Sequence, residues 1–251
     1  MSLGSSVEDR PLTIIEHLEE LRRRLLISLA AFAVATIVSF LFVERILAIL
    51  VRPVGQVVFL APTEAFFVRL KVAGVSGVFL GLPVILYQLW RFVSVGLTRT
   101  ERRYTLSLLP VSLALFVGGA ALAVLAVLPV GVKFLLSYQT ETLRPMISIR
   151  AYTSFATSFV LAFGLVFQLP IVMLFLARIG VVTPASLAAG RKYALLAIVA
   201  GAAVLTPGGD VVSQFLMAAP TYLLYEISIL VARLAVPKPS AEVQQESVPT
   251  E

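Results

Sequence analysis

The sequence has no cysteine, which excludes disulfides, thiolate nucleophiles and cysteine metal sites. Its one histidine, His17, leaves no histidine cluster for a metal, and no cofactor is implied. Charge is scarce as well. Only 14% of the 251 residues are Asp, Glu, Lys or Arg. A soluble domain carries roughly 25%, so these are too few to cover a water-facing surface. There is no nucleotide-binding motif and no internal repeat of the inverted-transporter kind. Met1 to Leu12 is polar, and the first apolar run follows three arginines. That run is long enough to stay as an anchor rather than be cut away as a signal peptide.

What is present is apolar. Hydrophobic residues make up 59% of the chain, in long runs with the charges clustered between them. A bilayer span needs about 20 such residues. The pattern predicts an all-α integral membrane protein with six transmembrane helices. The spans fall at about 25–43, 65–92, 104–136, 152–177, 193–205 and 211–234 within a membrane domain of residues 25–234. Before it, residues 1–24 end in an amphipathic segment. Leu12, Ile15, Leu18 and Leu21 recur at helical spacing, opposite Glu16, Glu19, Glu20, Arg22 and Arg23. Such a segment lies on the membrane surface or caps the first span. The tail, 235–251, is Pro, Ser, Gln and Glu and reads as disordered.

The net charge of +6 sets topology rather than marking a nucleic-acid surface, because the basic residues sit at span ends. The side holding Arg22, Arg23, Arg24, Arg91, Arg99, Arg102, Arg103, Arg178, Arg191 and Lys192 is the richer. Both termini are therefore expected in the cytoplasm. Pro83, Pro110, Pro129, Pro170 and Pro220 punctuate the spans. Each removes a backbone donor and favours a kink, so the helices should form a concave wall more readily than a parallel bundle. Span five is short for a crossing and should leave a locally thin region.

Four places could carry chemistry. His17 to Arg24 offers Glu19 and Glu20 beside a basic face. Tyr87 to Phe92 and Gly96 to Arg103 offer Glu101, the only acid in its cytoplasmic link. Paired with Glu19 or Glu20, Glu101 would give two carboxylates on one surface, and arginine meets carboxylate through bidentate hydrogen bonds. Trp90, at a span end, reads as an interface anchor. Gln168 lies deep in span four and must find a partner or face a cavity. Around the last turn, Asp210 is expected to cap span six, and Glu226 to pair with a basic residue. Asp210, Glu226 and the loop residue Pro53 are taken as structural. No paired Asp, Ser–His pair or metal cluster suggests an intramembrane enzyme. A transporter or channel for a small solute is the alternative. It predicts midplane ionisable residues, where this chain offers chiefly Gln168.

Six stretches together resemble the TatC family, the receptor core of the twin-arginine protein translocase. They are HLEELRRR (17–24), LAPTEAFFVRLK (60–71), PVILYQLWRF (83–92), GLTRTERR (96–103), TPGGDVVSQ (206–214) and YLLYEI (222–227). They occur in the family's order on a six-span layout. The resemblance implies a curved, glove-like wall that binds the twin-arginine signal peptides of folded cargo. Glu20 and Glu101 would receive the arginine pair, bordered by Arg22, Arg24 and Phe92 and supported by Arg102 and Arg103. Gln168 would lie in an intramembrane polar groove. Thr206 and Gln214 would belong to the docking region for the single-span partners TatA and TatB. Lipid and further copies of the chain complete the implied partners. Three positions depart from the family pattern. Gln168 stands where Glu is frequent, so that site can hydrogen-bond but cannot titrate. Val95 replaces a frequent proline, and the loop with Gly208-Gly209 is one residue longer than in some members.

Overall fold

The structure, a computed structural model, describes residues 14–94, 99–140, 145–206 and 210–235. Among these residues everything regular is helical except one isolated β-bridge, between Val58 and Ser148. The motif residues Gly96 to Thr98 and Pro207 to Gly209, Val95, the first 13 residues and the tail from 236 lie outside the described residues.

Helix α1 runs unbroken from Ile14 to Leu41. That stretch has neither glycine nor proline, so the charged amphipathic segment and the first apolar run form one rod. Its 28 residues reach about 42 Å, more than the roughly 30 Å of hydrocarbon. The Glu20 end therefore projects beyond the apolar layer. The loop expected after span one contains a further helix, α2 (Val43–Val51). Val43 and Leu50, seven residues apart on one face, are buried in the core and hold it there. Pro53 follows the Arg52 cap, and Gly55 takes a left-handed φ of 74°. The Val54 and Gly55 amides both donate back to the Val51 carbonyl.

Helix α3 (Pro62–Val93) returns to the Glu20 end. Pro62 occupies its first turn, where no amide partner is lost, and the buried Glu64 carboxylate accepts the Leu60 amide at 3.0 Å. The third span is segmented into α4 (Arg99–Ser107), α5 (Leu109–Leu122), a π-helical turn (Ala123–Val127) and α6 (Leu128–Leu136). The breaks fall just before Pro110 and Pro129, which cannot supply the i→i−4 bond. Span four divides the same way. α7 (Ile149–Val166) and α8 (Leu169–Arg178) are separated at Phe167 and Gln168, immediately before Pro170. A short helix, α9 (Pro184–Ala189), is capped reciprocally by Thr183 and Ser186. It leads into α10 (Arg191–Leu205) and then α11 (Val211–Ala235).

Five helical stretches are long and apolar enough to cross a bilayer: 15–41, 62–93, 101–136, 149–178 and 211–234. Helix α10 is not among them, since its 15 residues reach only about 22 Å. α1 packs chiefly on α3. α3 also meets α5 and α7, α8 meets α11, and α10 packs on α11. The helices thus form an open wall with α1 at one edge and α10 at the other.

Small residues set the closest approaches. A Cβ placed on Gly77 would lie 2.3 Å from Thr36 Oγ1 on α1. Between α5 and α7 the fit is reciprocal. Phe116 covers Gly164, and Phe167 covers Gly119. Large apolar side chains such as Leu25, Leu29, Ile37, Leu125, Leu165 and Leu196 remain exposed, as a lipid-facing surface requires.

Candidate functional site

At the Glu20 end, α1 and α3 are joined by polar contacts. Arg24 is buried, and one of its terminal nitrogens donates to Gln88 Oε1 at 3.0 Å. The other donates to Glu20 Oε1, one turn away on α1. The guanidinium fork thus bridges two helices and fixes the carboxylate. Glu20 keeps its second oxygen without a hydrogen-bond partner among the described residues. Its side chain is 25% exposed, neither free in solvent nor sealed. One turn earlier, His17 stacks on Phe92 of α3 with ring centroids 4.7 Å apart. These contacts fix the antiparallel register of α1 and α3.

Glu101 lies on the first turn of α4, half-buried, and its carbonyl accepts the Thr105 hydroxyl at 2.8 Å. Because α3 ends at Val93 and α4 begins at Arg99, Glu101 stands at the same end of the wall as Phe92. Arg22, Arg102 and Arg103 are exposed there.

Next to Phe92, Val93 begins the lining of an apolar groove of about 520 Å³. The groove follows α3 through Trp90, Leu86 and Leu82 to Val78, and faces Leu165, Gln168 and Phe175. Its polar wall is organised by Ser112, which is fully buried. The Trp90 indole N–H donates to Ser112 Oγ at 3.1 Å. The Gln168 side-chain amide donates to the Ser112 carbonyl at 2.9 Å. Trp90 is therefore no lipid-interface anchor. It is buried, edge-on to Phe175, because its N–H has a partner inside the wall.

The other sequence-selected residues lie toward α10 and α11. Thr206 is buried, and its hydroxyl donates to the Ala202 carbonyl at 2.6 Å. Gln214 donates to the Val199 carbonyl at 3.1 Å, tying α11 to α10. Asp210 Oδ1 accepts the Ser213 amide at 2.7 Å. Glu226 receives Arg191 through both oxygens, at 2.7 and 2.9 Å, and the Tyr222 hydroxyl as well. Hydrogen bonding to Glu226, reinforced by its charge, pushes the Arg191 guanidinium above its ordinary range.

Sequence reasoning missed Gln88 and Ser112 as partners and read Arg24 only as a bordering charge. A polar residue at a span end or within a span was the available signal. Its partner, 64 residues away for Gln88, was not. Among the described residues no group of His, Asp and Glu could hold a metal ion.

Comparison with known proteins matches this architecture. The family model for "Sec-independent protein translocase protein (TatC)" aligns with residues 16–220. The TatC protein of Carboxydothermus hydrogenoformans is 44% identical over 92% of this chain and 97% of its own length. That of Aquifex aeolicus is 41% identical over 94% and 99%. A crystal structure of the twin-arginine translocase receptor TatC superposes with a TM-score of 0.80, at 40% identity, over 88% of this chain and 99% of that one. A helical wall with this order of elements, and relatives that share it nearly end to end, have one common origin: the chain belongs to the TatC family of Sec-independent protein translocase proteins.

Proposed function

We propose that this chain is the receptor subunit of a twin-arginine translocase, with Glu20 and Glu101 as the carboxylates that receive the arginine pair of a signal peptide. The observation that carries this reading is continuity. A carboxylate pinned by a buried arginine stands one turn from the His17–Phe92 stack, and the apolar groove begins at the neighbouring Val93. A peptide with paired arginines followed by an apolar stretch has that same order of charge and hydrophobicity.

Arginine suits the Glu20 position because its fork can take the open carboxylate oxygen while Arg24 keeps the other. Exposed ion pairs contribute only about 0.2–1 kcal/mol each, so the partial shielding of Glu20 is needed for specificity. Arg22, Arg24, Phe92, Arg102 and Arg103 frame the site, and Gln168 lines the groove that receives the apolar stretch. Thr206 and Gln214 mark the edge where TatA- and TatB-type single spans dock, beside the short α10. Residues 25–234 make up the membrane domain, both termini face the cytoplasm, and further copies of the chain join the complex. The chain acts as a receptor and assembly platform rather than a catalyst.

Binding of a twin-arginine peptide to the protein in nanodiscs tests the reading. Affinity should fall for Glu20→Ala, for Glu101→Ala and for a peptide with both arginines changed to lysine. Equal affinity across all four combinations, with folded protein, would remove the proposed mechanism. No observation favours a small-solute transporter.

A further inference from the structure

Between Val72 and Trp90, α3 carries no acidic or basic residue. At 1.5 Å per residue that stretch is about 28 Å long, the thickness of a bilayer's hydrocarbon layer. Lys71 and Arg91 therefore stand at its two edges. Lys71 lies at headgroup depth on the side of the wall that carries Val58.

The Lys71 ammonium donates to Ser154 Oγ on α7 at 2.8 Å. A hydroxyl satisfies one donor but leaves the charge unneutralised. Arg150, one turn before Ser154 on α7, is exposed beside it. Among the described residues no carboxylate pairs with Lys71 or Arg150. Arg69, two residues from Lys71, is by contrast paired with Glu44 at 2.5 Å. Lys71, Arg150 and Ser154 line one pocket of about 390 Å³ with Phe67, Val68 and Leu70.

The pocket is amphipathic. Phe67 and Leu70 expose apolar surface beside the two cations. One turn deeper on α3, a Cβ built on Gly74 would meet no atom within 4 Å, so the surface below the pocket is unobstructed towards the midplane. Val78 on α3 and Leu161 on α7 continue these helices to the rim of the apolar groove.

We infer that Lys71, Arg150 and Ser154 form a binding site for the phosphate headgroup of an anionic phospholipid, whose acyl chain lies along the open surface past Gly74. Two cations with one hydroxyl suit a phosphodiester of net negative charge better than a zwitterion. The exposed apolar surface of Phe67 and Leu70 and the open space past Gly74 distinguish a lipid from a free anion, which would leave them uncovered.

Native mass spectrometry of the full chain, released from detergent with added phosphatidylglycerol or phosphatidylcholine, tests this. Wild type should retain phosphatidylglycerol preferentially. The double substitution Lys71→Gln with Arg150→Gln should lower that retention roughly 25-fold, since each of the two basic contacts is worth about a fivefold preference. Arg69→Gln should leave it unchanged. Equal retention of the two lipids by wild type, or equal loss in Arg69→Gln, would overturn the site. Competition by soluble glycerol phosphate as effective as by the lipid would instead assign a free-anion site and overturn the lipid. If the double variant does not fold, a photoactivatable phosphatidylglycerol on wild type decides. Adducts should map to residues 67–78 and 150–161, and adducts confined elsewhere would refute the proposal.

Discussion

The Gln168 side-chain amide donates its proton to the backbone carbonyl of Ser112, 2.9 Å away across the groove wall. An ionised carboxylate at the same position could not make that bond, since it has no hydrogen to give.

Gln168→Glu should therefore destabilise the fold at neutral pH by about 1–3 kcal/mol, the cost of two facing acceptors in a desolvated site. The introduced carboxyl restores the bond only when protonated, so the loss should shrink as pH falls. Thermal unfolding in detergent across pH checks this. Wild type should lack this pH dependence.

Ser112→Ala removes the acceptor for the Trp90 indole. A buried donor without a partner costs about 1–3 kcal/mol, and the melting temperature should drop accordingly. Trp90 is the only tryptophan, so its emission reports on this site alone. The spectrum should shift in Ser112→Ala and stay put in Thr206→Ala.

Gly77→Ala places a methyl group 2.3 Å from Thr36 Oγ1 and 2.8 Å from the Thr36 backbone. α1 must move away from α3, at a cost of roughly 1–3 kcal/mol. Because α1 carries Glu20, twin-arginine peptide binding should weaken although the substitution lies far from the peptide site. Adding Thr36→Ala should recover only part of the loss, because the backbone clash remains. Unfolding and peptide titration together measure both effects.

Arg24→Lys keeps the charge but loses the fork that holds Glu20 and Gln88 at once. Loss of one charge-assisted bond corresponds to about 1.5–3 kcal/mol. The expected outcome is a folded protein whose peptide affinity falls by about tenfold or more, with Gln88→Leu showing a smaller fall. Isothermal titration in nanodiscs distinguishes the two.

Much of this was legible in the sequence, and the residues show where legibility ended. The five long spans follow from apolar runs of about 20 residues or more, and the breaks before Pro110, Pro129 and Pro170 follow from a missing amide. Helix α2 escaped because the stretch from Glu44 to the Pro53–Gly55 turn reads as loop. It is held by burial of Val43 and Leu50, a tertiary effect. Trp90 was misread because tryptophan at a span end usually meets the lipid interface. Its partner Ser112 lies on another span, and sequence spacing says nothing about which spans touch. Arg24 looked like one of three topology-setting arginines, and only its reach to Gln88 sets it apart from Arg22 and Arg23.

The bridge between Val58 and Ser148 has a consequence for the order of assembly. The Val58 amide donates to Ile147, and its carbonyl accepts from Ile149. Those partners are synthesised some ninety residues later. During synthesis, which proceeds from the N-terminus, Val58 stays hydrated until α7 arrives. The Arg24–Gln88 contact, by contrast, is available as soon as α3 is in place. The end that holds Glu20 is thus built early, whereas the opposite end, and the Gln168 wall of the groove, close only when the fourth span has been laid down.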